Sequence, residues 1–529
     1  MRLCSHLDPR QLLFVCFIVL PLALGGCSNR KAPNPSAHDG VCDWTNPADS
    51  GLPLQRNKLQ ARLDEVLHRR DDAEGNIKCA ARVIELDTGR ELYSNLADEP
   101  FLPASNGKLA VSAAALDAFG SGRTFDTHLA ISGDDLWLIG TGDPAVGDPA
   151  IEKKRGRLPT SVLEDWATAL LKRGVTEIKG NLYFYDAAFD ETRFNPYWSK
   201  GFHGDWYAAP VSGLNFNDDC IDVTVYPTAD GQPVDYTIMP PVKGVKIINK
   251  CLTGTGEDQP AISREAESNT YTITGATTKP TTLRSRSVVD PGPFFADALR
   301  TRLELRGIRV AGETKRADLP SGTSPIPAGA EIVATHKSVM SDVMWRINKS
   351  SQNMFADAMF KMMGNGTWEG GEKATKAFLA KAGIDATHYR AVDGSGLARE
   401  NRVTARLITD LLAYMDKHPE SETFHQSLSA AGVDGTIRNR MHDLKGRVQA
   451  KTGYISGVRA LSGYVQKSDG KWLAFSFIFN GFRGSERPFE VLQDEAVHVL
   501  ADLPQVRPST QPTTRPATRS RRAATTRAD

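Results

Sequence analysis

Residues 108–116 form the segment that most constrains what this chain can fold into. Their sequence, Lys-Leu-Ala-Val-Ser-Ala-Ala-Ala-Leu, is helix-forming and almost entirely apolar, and Pro103 stands shortly before it. A helix that is apolar on every side has to be buried on all sides. We therefore predict that other elements enclose this helix. A chain of 529 residues can supply them in two or more domains, or in one domain with a large insertion.

The elements predicted on either side of this helix indicate an α+β fold. Helical apolar spacing predicts helices, and alternation of apolar and polar residues predicts strands joined by short turns. Strands come from both ends of the chain, so we expect one antiparallel sheet beside a cluster of helices. The predicted helices are 53–70, 338–349, 352–363, 403–415 (capped by Thr404) and 487–502, and the predicted strands are 79–86, 91–93, 446–451, 459–467 and 471–480, with turns at 87–89, 453–457 and 468–470.

The region between residues 123 and 334 has a different sequence pattern. Short apolar runs alternate there with Gly, Pro, Asn and Asp, which is typical of short strands and loops. We predict an inserted, mostly β region over 123–334 that divides the main domain into residues 51–122 and 335–502. Its predicted strands are 136–139, 182–185, 221–226, 245–248 and 271–273.

Both ends of the chain differ from the rest. Two arginines precede an apolar run at 12–24, which has the length of a signal-peptide core and is too short for a membrane-spanning helix. The run ends in Leu-Gly-Gly-Cys at Cys27, which resembles a bacterial lipobox. Residues 1–27 thus predict export to the periplasm and a lipid anchor on Cys27, and the alternative is an ordinary signal peptide with an incidental Cys. Residues 28–50 predict a flexible tether, and the Thr-, Pro- and Arg-rich residues 503–529 a disordered tail.

The cysteine count and the net charge limit the possible partners. After the signal segment Cys42, Cys79, Cys220 and Cys251 remain, and an even number in an oxidising compartment permits two disulfides. Three connectivities are open, of which Cys42–Cys79 with Cys220–Cys251 is the most local. No CxxC or HExxH spacing predicts a metal site. The formal net charge of +1 provides no basic field that would predict nucleic-acid binding.

Three short motifs occur in order along the chain. They are Ser105-Asn106-Gly107-Lys108 at the start of the buried helix, Ser351-Gln352-Asn353 in the break between two predicted helices, and Lys451-Thr452-Gly453 at the end of a predicted strand. Each is a weak signal alone, because the SxxK pattern also occurs at 28–31 and 468–471. Together they resemble the catalytic signature of penicillin-binding proteins and class A β-lactamases.

The chemistry of the first motif can be argued without that resemblance. A serine hydroxyl attacks a carbonyl usefully only beside a base, and positions three apart on a helix share a face, which places Lys108 next to Ser105. A lysine acts as a base only when neutral, which requires burial or a neighbouring cation. We expect the apolar helix to supply the burial and Lys451 to supply the cation. The positive end of the helix would also favour an oxyanion.

Further segments resemble the low-molecular-mass class C penicillin-binding proteins, the D-Ala-D-Ala carboxypeptidase/endopeptidases of peptidase family S13. In two of them the sequence departs from the family pattern, since Ala398 replaces the usual Ser and Gln352 the commoner Asp. The 243 positions between Lys108 and Ser351 also suit this family, which carries extra domains there, whereas class A β-lactamases hold the motifs much closer together. The similar segments are 140–144, 206–217, 347–353 and 393–404.

This resemblance implies a β-lactamase/transpeptidase-like catalytic domain. It also implies a serine peptidase that acts on peptidoglycan stem peptides and is acylated by β-lactam antibiotics, without a cofactor. The implied residue roles are Ser105 as nucleophile, Lys108 as base, Ser351 with Lys451 as proton relay to the leaving amine, Asn353 as ligand of the substrate backbone, Thr452 and Gly453 with Lys451 at the terminal carboxylate, and the N–H groups of Ser105 and Tyr454 as the oxyanion hole.

Three functions stay open at this point. The favoured one is a D-Ala-D-Ala carboxypeptidase that also cuts peptide crosslinks or acts on free ends alone. The second is a β-lactamase or esterase on the same scaffold, which the large insertion argues against. The third is a non-catalytic peptidoglycan-binding lipoprotein, which the presence of both Ser105 and Lys108 argues against.

Overall fold

The computed structural model describes residues 52–70, 76–256, 258–319 and 324–502. The predicted signal peptide, Cys27, the tether, Cys42 and the C-terminal tail lie outside these residues. In the described part of the chain the helices are α1 (Leu52–Leu67), α2 (Lys108–Phe119), α3 (Pro149–Lys154), α4 (Ser161–Lys172), α5 (Pro291–Leu305), α6 (Met340–Asn348), α7 (Asn353–Met363), α8 (Trp368–Lys381), α9 (Ala405–Asp416), α10 (Ser421–Ser427) and α11 (Arg487–Ala501).

The strands are numbered in the same way along the chain. They are β1 (Lys78–Glu85), β2 (Glu91–Asn95), β3 (Thr124–Ser132), β4 (Asp135–Ile139), β5 (Glu177–Ile178), β6 (Leu182–Tyr185), β7 (Cys220–Tyr226), β8 (Asp235–Met239), β9 (Lys246–Asn249), β10 (Leu252–Thr253), β11 (Ala261–Arg264), β12 (Thr270–Thr274), β13 (Ala276–Thr277), β14 (Thr281–Thr282), β15 (Arg286–Ser287), β16 (Arg309–Val310), β17 (Thr314–Arg316), β18 (Glu331–Val339), β19 (Ser429–Ala430), β20 (Val448–Ile455), β21 (Val458–Gln466) and β22 (Trp472–Asn480).

The two ends of the described chain meet in one antiparallel sheet. Its strand order is β19-β20-β21-β22-β1-β2, so the N-terminal β1 lies directly against the C-terminal β22. Strands β21 and β22 are buried along almost their whole length, because helices cover both faces of the sheet. α1 and α11 pack on one face and α2 with α9 on the other. The predicted sheet drawn from both ends of the chain is confirmed.

Helix α2 lies at the centre of the helical cluster. Residues 108–116 are all buried, as their sequence predicts, and α6, α7, α8 and α9 pack around the helix. Each turn of α2 meets apolar side chains of these helices, and burial of such side chains contributes about 1.5–3 kcal/mol apiece. The first turn of α2, with Lys108, is therefore fixed in a closely packed core.

The residues between the two parts of this sheet form a separate apolar core. A five-stranded sheet in the order β17-β6-β4-β3-β18 is its largest unit, and smaller sheets surround β7 and β12. The predicted short strands are all present within one residue of their expected bounds. Helices α3, α4 and α5 also lie here, and the sequence analysis did not predict them. The α+β fold with a mostly β insertion is thus confirmed.

Several local predictions are corrected by the structure. Ser105 belongs to a 3₁₀ turn (Ala104–Gly107), and the α-helix begins only at Lys108. β20 continues to Ile455, so Lys451-Thr452-Gly453 lies within the strand and the predicted turn at 453–457 shrinks to its last residues. Cys220 and Cys251 are buried free thiols, so the Cys220–Cys251 bridge of the most local connectivity is not formed.

Among the described residues, none of the helices combines the length and the apolar character that crossing a bilayer requires.

Candidate active site

The first motif brings Ser105 and Lys108 into contact at the start of α2. The 3₁₀ turn places Ser105 three residues ahead of the first helical residue, so the two side chains share one face. Lys108 Nζ lies 2.9 Å from Ser105 Oγ. Ser105 is half-buried, whereas Lys108 has no exposed surface. The hydroxyl thus faces the cleft and the amine lies behind it.

Two further contacts fix the Lys108 amine. Nζ donates hydrogen bonds to Asn353 Oδ1 and to the Ser395 carbonyl, both over 2.6 Å. A neutral lysine has two N–H donors and one lone pair. The two acceptors use both donors, and the lone pair is left for the proton of Ser105 Oγ. The same three contacts also suit the three N–H groups of a lysine cation, and loss of one proton leaves a lone pair that faces Ser105 Oγ.

The environment of Lys108 favours this neutral form. Burial lowers the pKa of Lys108 to about 8, while the nearby carboxylates of Asp357 and Asp393 act in the opposite direction. The expected role of Lys451 as the cation that depresses this pKa needs correction, since burial is the leading cause. The repulsion instead acts on Lys451, whose pKa is held well below its ordinary value by burial and by Lys108.

The second motif lies in the break between α6 and α7. Ser351 has its backbone in the left-handed region (φ +57°), where residues other than glycine are strained. Lys451 Nζ donates a hydrogen bond to Ser351 Oγ over 2.7 Å and another to the Thr452 carbonyl over 2.8 Å. The second and third motifs are thus joined at the hydroxyl of Ser351.

The third motif lies on a strand edge that faces the other two. β19 pairs only with Ala450 and Gln449 of β20, so within the described chain the remainder of that edge has no strand partner. Thr452 Oγ1 donates to Thr436 Oγ1 over 2.8 Å. Tyr454 is half exposed at the end of the strand. An open edge of this kind can pair with an extended peptide.

Gly453 allows this strand to approach the nucleophile. A Cβ atom at this position would lie 2.8 Å from the Pro103 carbonyl oxygen and 3.2 Å from the Asn106 nitrogen. Both distances are shorter than normal contacts with a Cβ atom. The glycine of the motif is therefore required by the close packing of β20 against the Ser105 turn.

The segment 393–401 contacts Lys108 through the backbone carbonyl of Ser395. Asp357 Oδ1 accepts hydrogen bonds from the backbone N–H of Gly394 and Ser395, over 2.8 and 2.9 Å. These bonds aim the Ser395 carbonyl at Lys108. Arg399 donates to the Ser456 carbonyl and thereby links this segment to the end of β20.

Two contacts on the second motif come from the inserted region. Asn353 Nδ2 donates to the Tyr207 carbonyl over 2.6 Å, and Gln352 Nε2 donates to Asp218 Oδ2 over 2.7 Å. The sequence analysis missed Asp357, Ser395, Thr436 and Asp218 as site residues. Only Asp357 left a signal, because its carboxylate lies four residues after Asn353 and so shares the helix face of that residue.

The described part of the chain contains no group of three His, Cys, Asp or Glu side chains arranged to hold a metal ion. The structure forms two hydrogen-bonded groups, Ser105 with Lys108 and Asn353, and Ser351 with Lys451 and Thr452, which are adjacent through residues 351–353. Gly453 and Tyr454 lie on the same strand as Lys451 and Thr452. Cys27, the predicted lipidation site, lies outside the described residues.

Comparisons with known proteins place this geometry in context. Residues 59–502 match the D-Ala-D-Ala carboxypeptidase 3 (S13) family. The chain is 32% identical over 459 residues to a D-alanyl-D-alanine carboxypeptidase of Actinomadura sp. (strain R39), which covers 81% of this chain and 82% of that protein.

Solved structures show a similar fold. A crystal structure of penicillin binding protein 4 (dacB) from Haemophilus influenzae superposes with a TM-score of 0.68 at 21% identity, covering 84% of this chain and 99% of that one. A complex of the same Haemophilus protein with a β-lactam gives a TM-score of 0.63, at the same identity and coverage. The predicted penicillin-binding-protein fold is thus confirmed.

Proposed function

The chain belongs to the D-Ala-D-Ala carboxypeptidase 3 (S13) family, and on this premise we propose how its residues perform a D-Ala-D-Ala carboxypeptidase reaction. The substrate is a peptidoglycan stem peptide that ends in D-Ala-D-Ala. Ser105 Oγ attacks the carbonyl of the penultimate D-Ala, the terminal D-Ala leaves, and water then hydrolyses the acyl-enzyme. The contact between Ser105 and the buried Lys108 is the observation that carries this proposal.

Acylation begins with proton transfer from Ser105 to Lys108. Asn353 and the Ser395 carbonyl hold both N–H donors of the neutral amine, so its lone pair points at the hydroxyl. The proton moves to Nζ as Oγ bonds to the substrate carbonyl carbon. A positioned general base of this kind contributes about 10²–10⁴ in rate.

The leaving amine receives its proton from Ser351. Lys451 Nζ, which donates to Ser351 Oγ over 2.7 Å, replaces that proton. Two buried cations in one cleft repel each other, and burial together with Lys108 lowers the pKa of Lys451, so we assign a single proton to the pair. The reaction starts from the state in which Lys451 holds that proton and Lys108 is neutral. After acylation the charge lies on Lys108 and Lys451 is neutral.

Deacylation reverses both transfers with water in place of the amine. Water gives a proton through Ser351 to Lys451 and bonds to the acyl carbon. Lys108 returns its proton to Ser105 Oγ as the ester breaks. Both lysines then have their starting charges, so the cycle is balanced without a cofactor.

The substrate binds along the open edge of β20. Lys451 and Thr452 hold the terminal carboxylate, Gly453 provides the close approach, and Asn353 donates to the substrate backbone. The N–H groups of Ser105 and Tyr454 stabilise the oxyanion. Removal of one such donor typically raises the barrier by about 2.7–4 kcal/mol.

The environment of the enzyme follows from its N-terminal sequence. The apolar run at 12–24 and the lipobox ending at Cys27 support export to the periplasm and a lipid anchor on that cysteine. Metabolic labelling with a clickable palmitate tests this anchor. Label on the wild-type protein that is lost in Cys27→Ala is the expected result, and equal label on both would contradict it.

Two assays test the catalytic proposal. Fluorescent penicillin should label the wild-type protein covalently, and Ser105→Ala should take up no label although it stays folded. Mass spectrometry of a pentapeptide and of a crosslinked muropeptide should then show loss of D-Ala from the first, and reveals whether the crosslink is cut as well. Rapid turnover of nitrocefin without accumulation of an acyl-enzyme would favour a β-lactamase instead.

A further inference from the structure

The residue between Ser351 and Asn353 is held by a carboxylate of the inserted region. Gln352 is almost fully buried, and its side chain uses both ends of its amide. Nε2 donates to Asp218 Oδ2 over 2.7 Å, and Oε1 accepts the backbone N–H of Asn353 over 2.9 Å. The amide therefore links the insertion to the first residue of α7.

Asp218 is itself fixed by Arg346. Arg346 Nη2 donates to Asp218 Oδ2 and its Nε donates to Asp148 Oδ2, each over 2.7 Å. Arg346 and Asp148 are both buried. One cation is thus shared by two carboxyl groups, and burial together with Asp218 already raises the pKa of Asp148 well above its ordinary value. The cluster therefore has no spare positive charge for a further acid.

This charge determines which side chain position 352 can carry. An amide donates to the Asp218 carboxylate and remains neutral. An acid at the same position would place a third carboxyl group beside one guanidinium. One of its oxygens would then face Asp218 Oδ2, and neither atom could donate a hydrogen bond. Like charges at such a distance in a buried site repel strongly.

The same contacts restrain the strained backbone of Ser351. That residue has φ +57°, and the next N–H, that of Gln352, donates to the Arg346 carbonyl over 3.0 Å. Left-handed backbone in a residue other than glycine persists only where its surroundings hold it. Asp218 lies in the left-handed region as well, at φ +56°. The pair Asp218–Gln352 thus links two strained segments, one of which carries the relay hydroxyl.

We propose that Asp218 and Gln352 are positioning residues that hold Ser351 and Asn353 in their reactive geometry, and that the neutral amide at position 352 is required because its partner is a carboxylate. This inference rests on the residue roles proposed above. It assigns part of the catalytic geometry to the inserted region, which supplies Asp218, and explains why this chain carries Gln in its second motif.

The test is a charge exchange between the two positions, read out as covalent acylation by fluorescent penicillin. Gln352→Glu keeps the shape and replaces the donor by a carboxylate. Asp218→Asn keeps an acceptor for Gln352 and should stay within about fivefold of the wild-type acylation rate constant. Displacement of a reacting group by about 1 Å can cost up to about 10²-fold, so Gln352→Glu should lose roughly tenfold to a hundredfold.

The double variant Gln352→Glu with Asp218→Asn distinguishes a positioning role from general disruption of the site. The amide introduced at position 218 can donate to the carboxylate introduced at position 352, so the double variant should acylate at least roughly fivefold faster than Gln352→Glu. The readout is the acylation rate constant at saturating penicillin, because Gln352 also holds the substrate-binding residue Asn353 and the dissociation constant is expected to change with it. A double variant no faster than Gln352→Glu, or a Gln352→Glu enzyme as fast as the wild type, would overturn the inference.

Two controls separate this result from other failures. Gln493→Glu makes the same change at a fully buried residue of α11, outside the site, and should lower the melting temperature while the folded protein acylates at the wild-type rate. If Gln352→Glu does not fold, Gln352→Met serves in its place, with the same expected loss and the same overturning result. Absence of penicillin label on Ser105 of the wild-type protein would refute the proposed function. If the wild type is labelled and the Gln352 variant is acylated equally fast, only this inference is refuted.

Discussion

Gly396 and Ala104 are in such close contact that a Cβ atom on Gly396 would lie 1.9 Å from the Ala104 carbonyl oxygen. Ala104 directly precedes the nucleophile, and both residues have positive φ, +80° for Gly396 and +46° for Ala104. The loop that carries the Ser395 carbonyl thus presses on the turn that carries Ser105. The backbone under Lys108 and the backbone of the nucleophile are one packed unit.

Gly396→Ala should therefore abolish most acylation, because the new methyl group displaces the turn of Ser105. Gly446→Ala is a matched control, since Gly446 has φ +79° and an added Cβ would meet nothing within 4 Å. Both variants should lose about 1 kcal/mol from backbone strain, but only Gly396→Ala should lose activity and further stability from the clash. Thermal melts and penicillin labelling check this, and equal effects of the two substitutions would contradict it.

The rate of acylation should rise with pH through about 8. Lys108 is the base in its neutral form, and burial lowers its pKa to about 8, so the active fraction grows as pH increases toward and past that value. The rate constant should climb about tenfold per pH unit well below that pKa, and it should fall again where Lys451, whose pKa is also lowered, loses the proton that it supplies. Stopped-flow measurement of penicillin acylation between about pH 5.5 and 9.5 tests this. A profile without an ascending limb at low pH would exclude Lys108 as the base.

Asp357→Asn should move this profile toward lower pH. Burial raises the pKa of Asp357 itself, so its ionised fraction is what raises the pKa of Lys108. Removal of that charge lowers the pKa of Lys108 and makes the neutral amine available at more acidic pH. The amide oxygen can still accept from Gly394 and Ser395, which keeps the loop in place. The acid limb of the same acylation profile is the measurement. An unshifted or alkaline-shifted limb would show that Asp357 does not act on Lys108.

Asp190→Ala should destabilise the fold, because it leaves the Lys361 cation buried without its partner. Lys361 has no exposed surface and donates to Asp190 Oδ1 over 2.6 Å. We expect a loss of about 2 kcal/mol in unfolding free energy, below the usual range for a buried pair since Asp190 is one-third exposed. Glu369→Ala breaks an ion pair with Lys373 that is exposed on both sides and should leave the unfolding free energy almost unchanged. Urea denaturation of both variants tests the difference, and equal losses would contradict it.

The buried helix and the sheet built from both chain ends were predictable because their apolar patterns are long and regular. The chemistry of Ser105 and Lys108 was also predictable, since a spacing of three on one helix face fixes their contact. The end of β20 was placed wrongly because the glycine in Lys451-Thr452-Gly453 resembles a turn signal. A glycine is needed there because the Pro103 carbonyl lies against it. That contact joins segments that are far apart in the sequence, so no local pattern predicts it.

Other features left no local trace in the sequence. Asp218 accepts a hydrogen bond from Gln352, which lies 134 positions later in the sequence. The Tyr207 carbonyl accepts one from Asn353, which lies 146 positions later. Neither pairing follows from spacing or periodicity, because only the folded insertion brings these groups to the second motif. Helices α4 and α5 were missed for another reason, since the Gly- and Pro-rich loops around them favoured the interpretation of short strands.

The pairing of β1 with β22 has a consequence for the order in which this enzyme becomes active during its synthesis. Lys78 lies opposite Asn480, and the Asn480 side chain bonds both backbone groups of Leu102, just ahead of the nucleophile turn, across 378 positions. The strand that completes the sheet thus leaves the ribosome long after the strand it pairs with. Closing so long a loop is a late step in folding. The nucleophile turn therefore reaches its final packing only after β22, from the far end of the described chain, is in place.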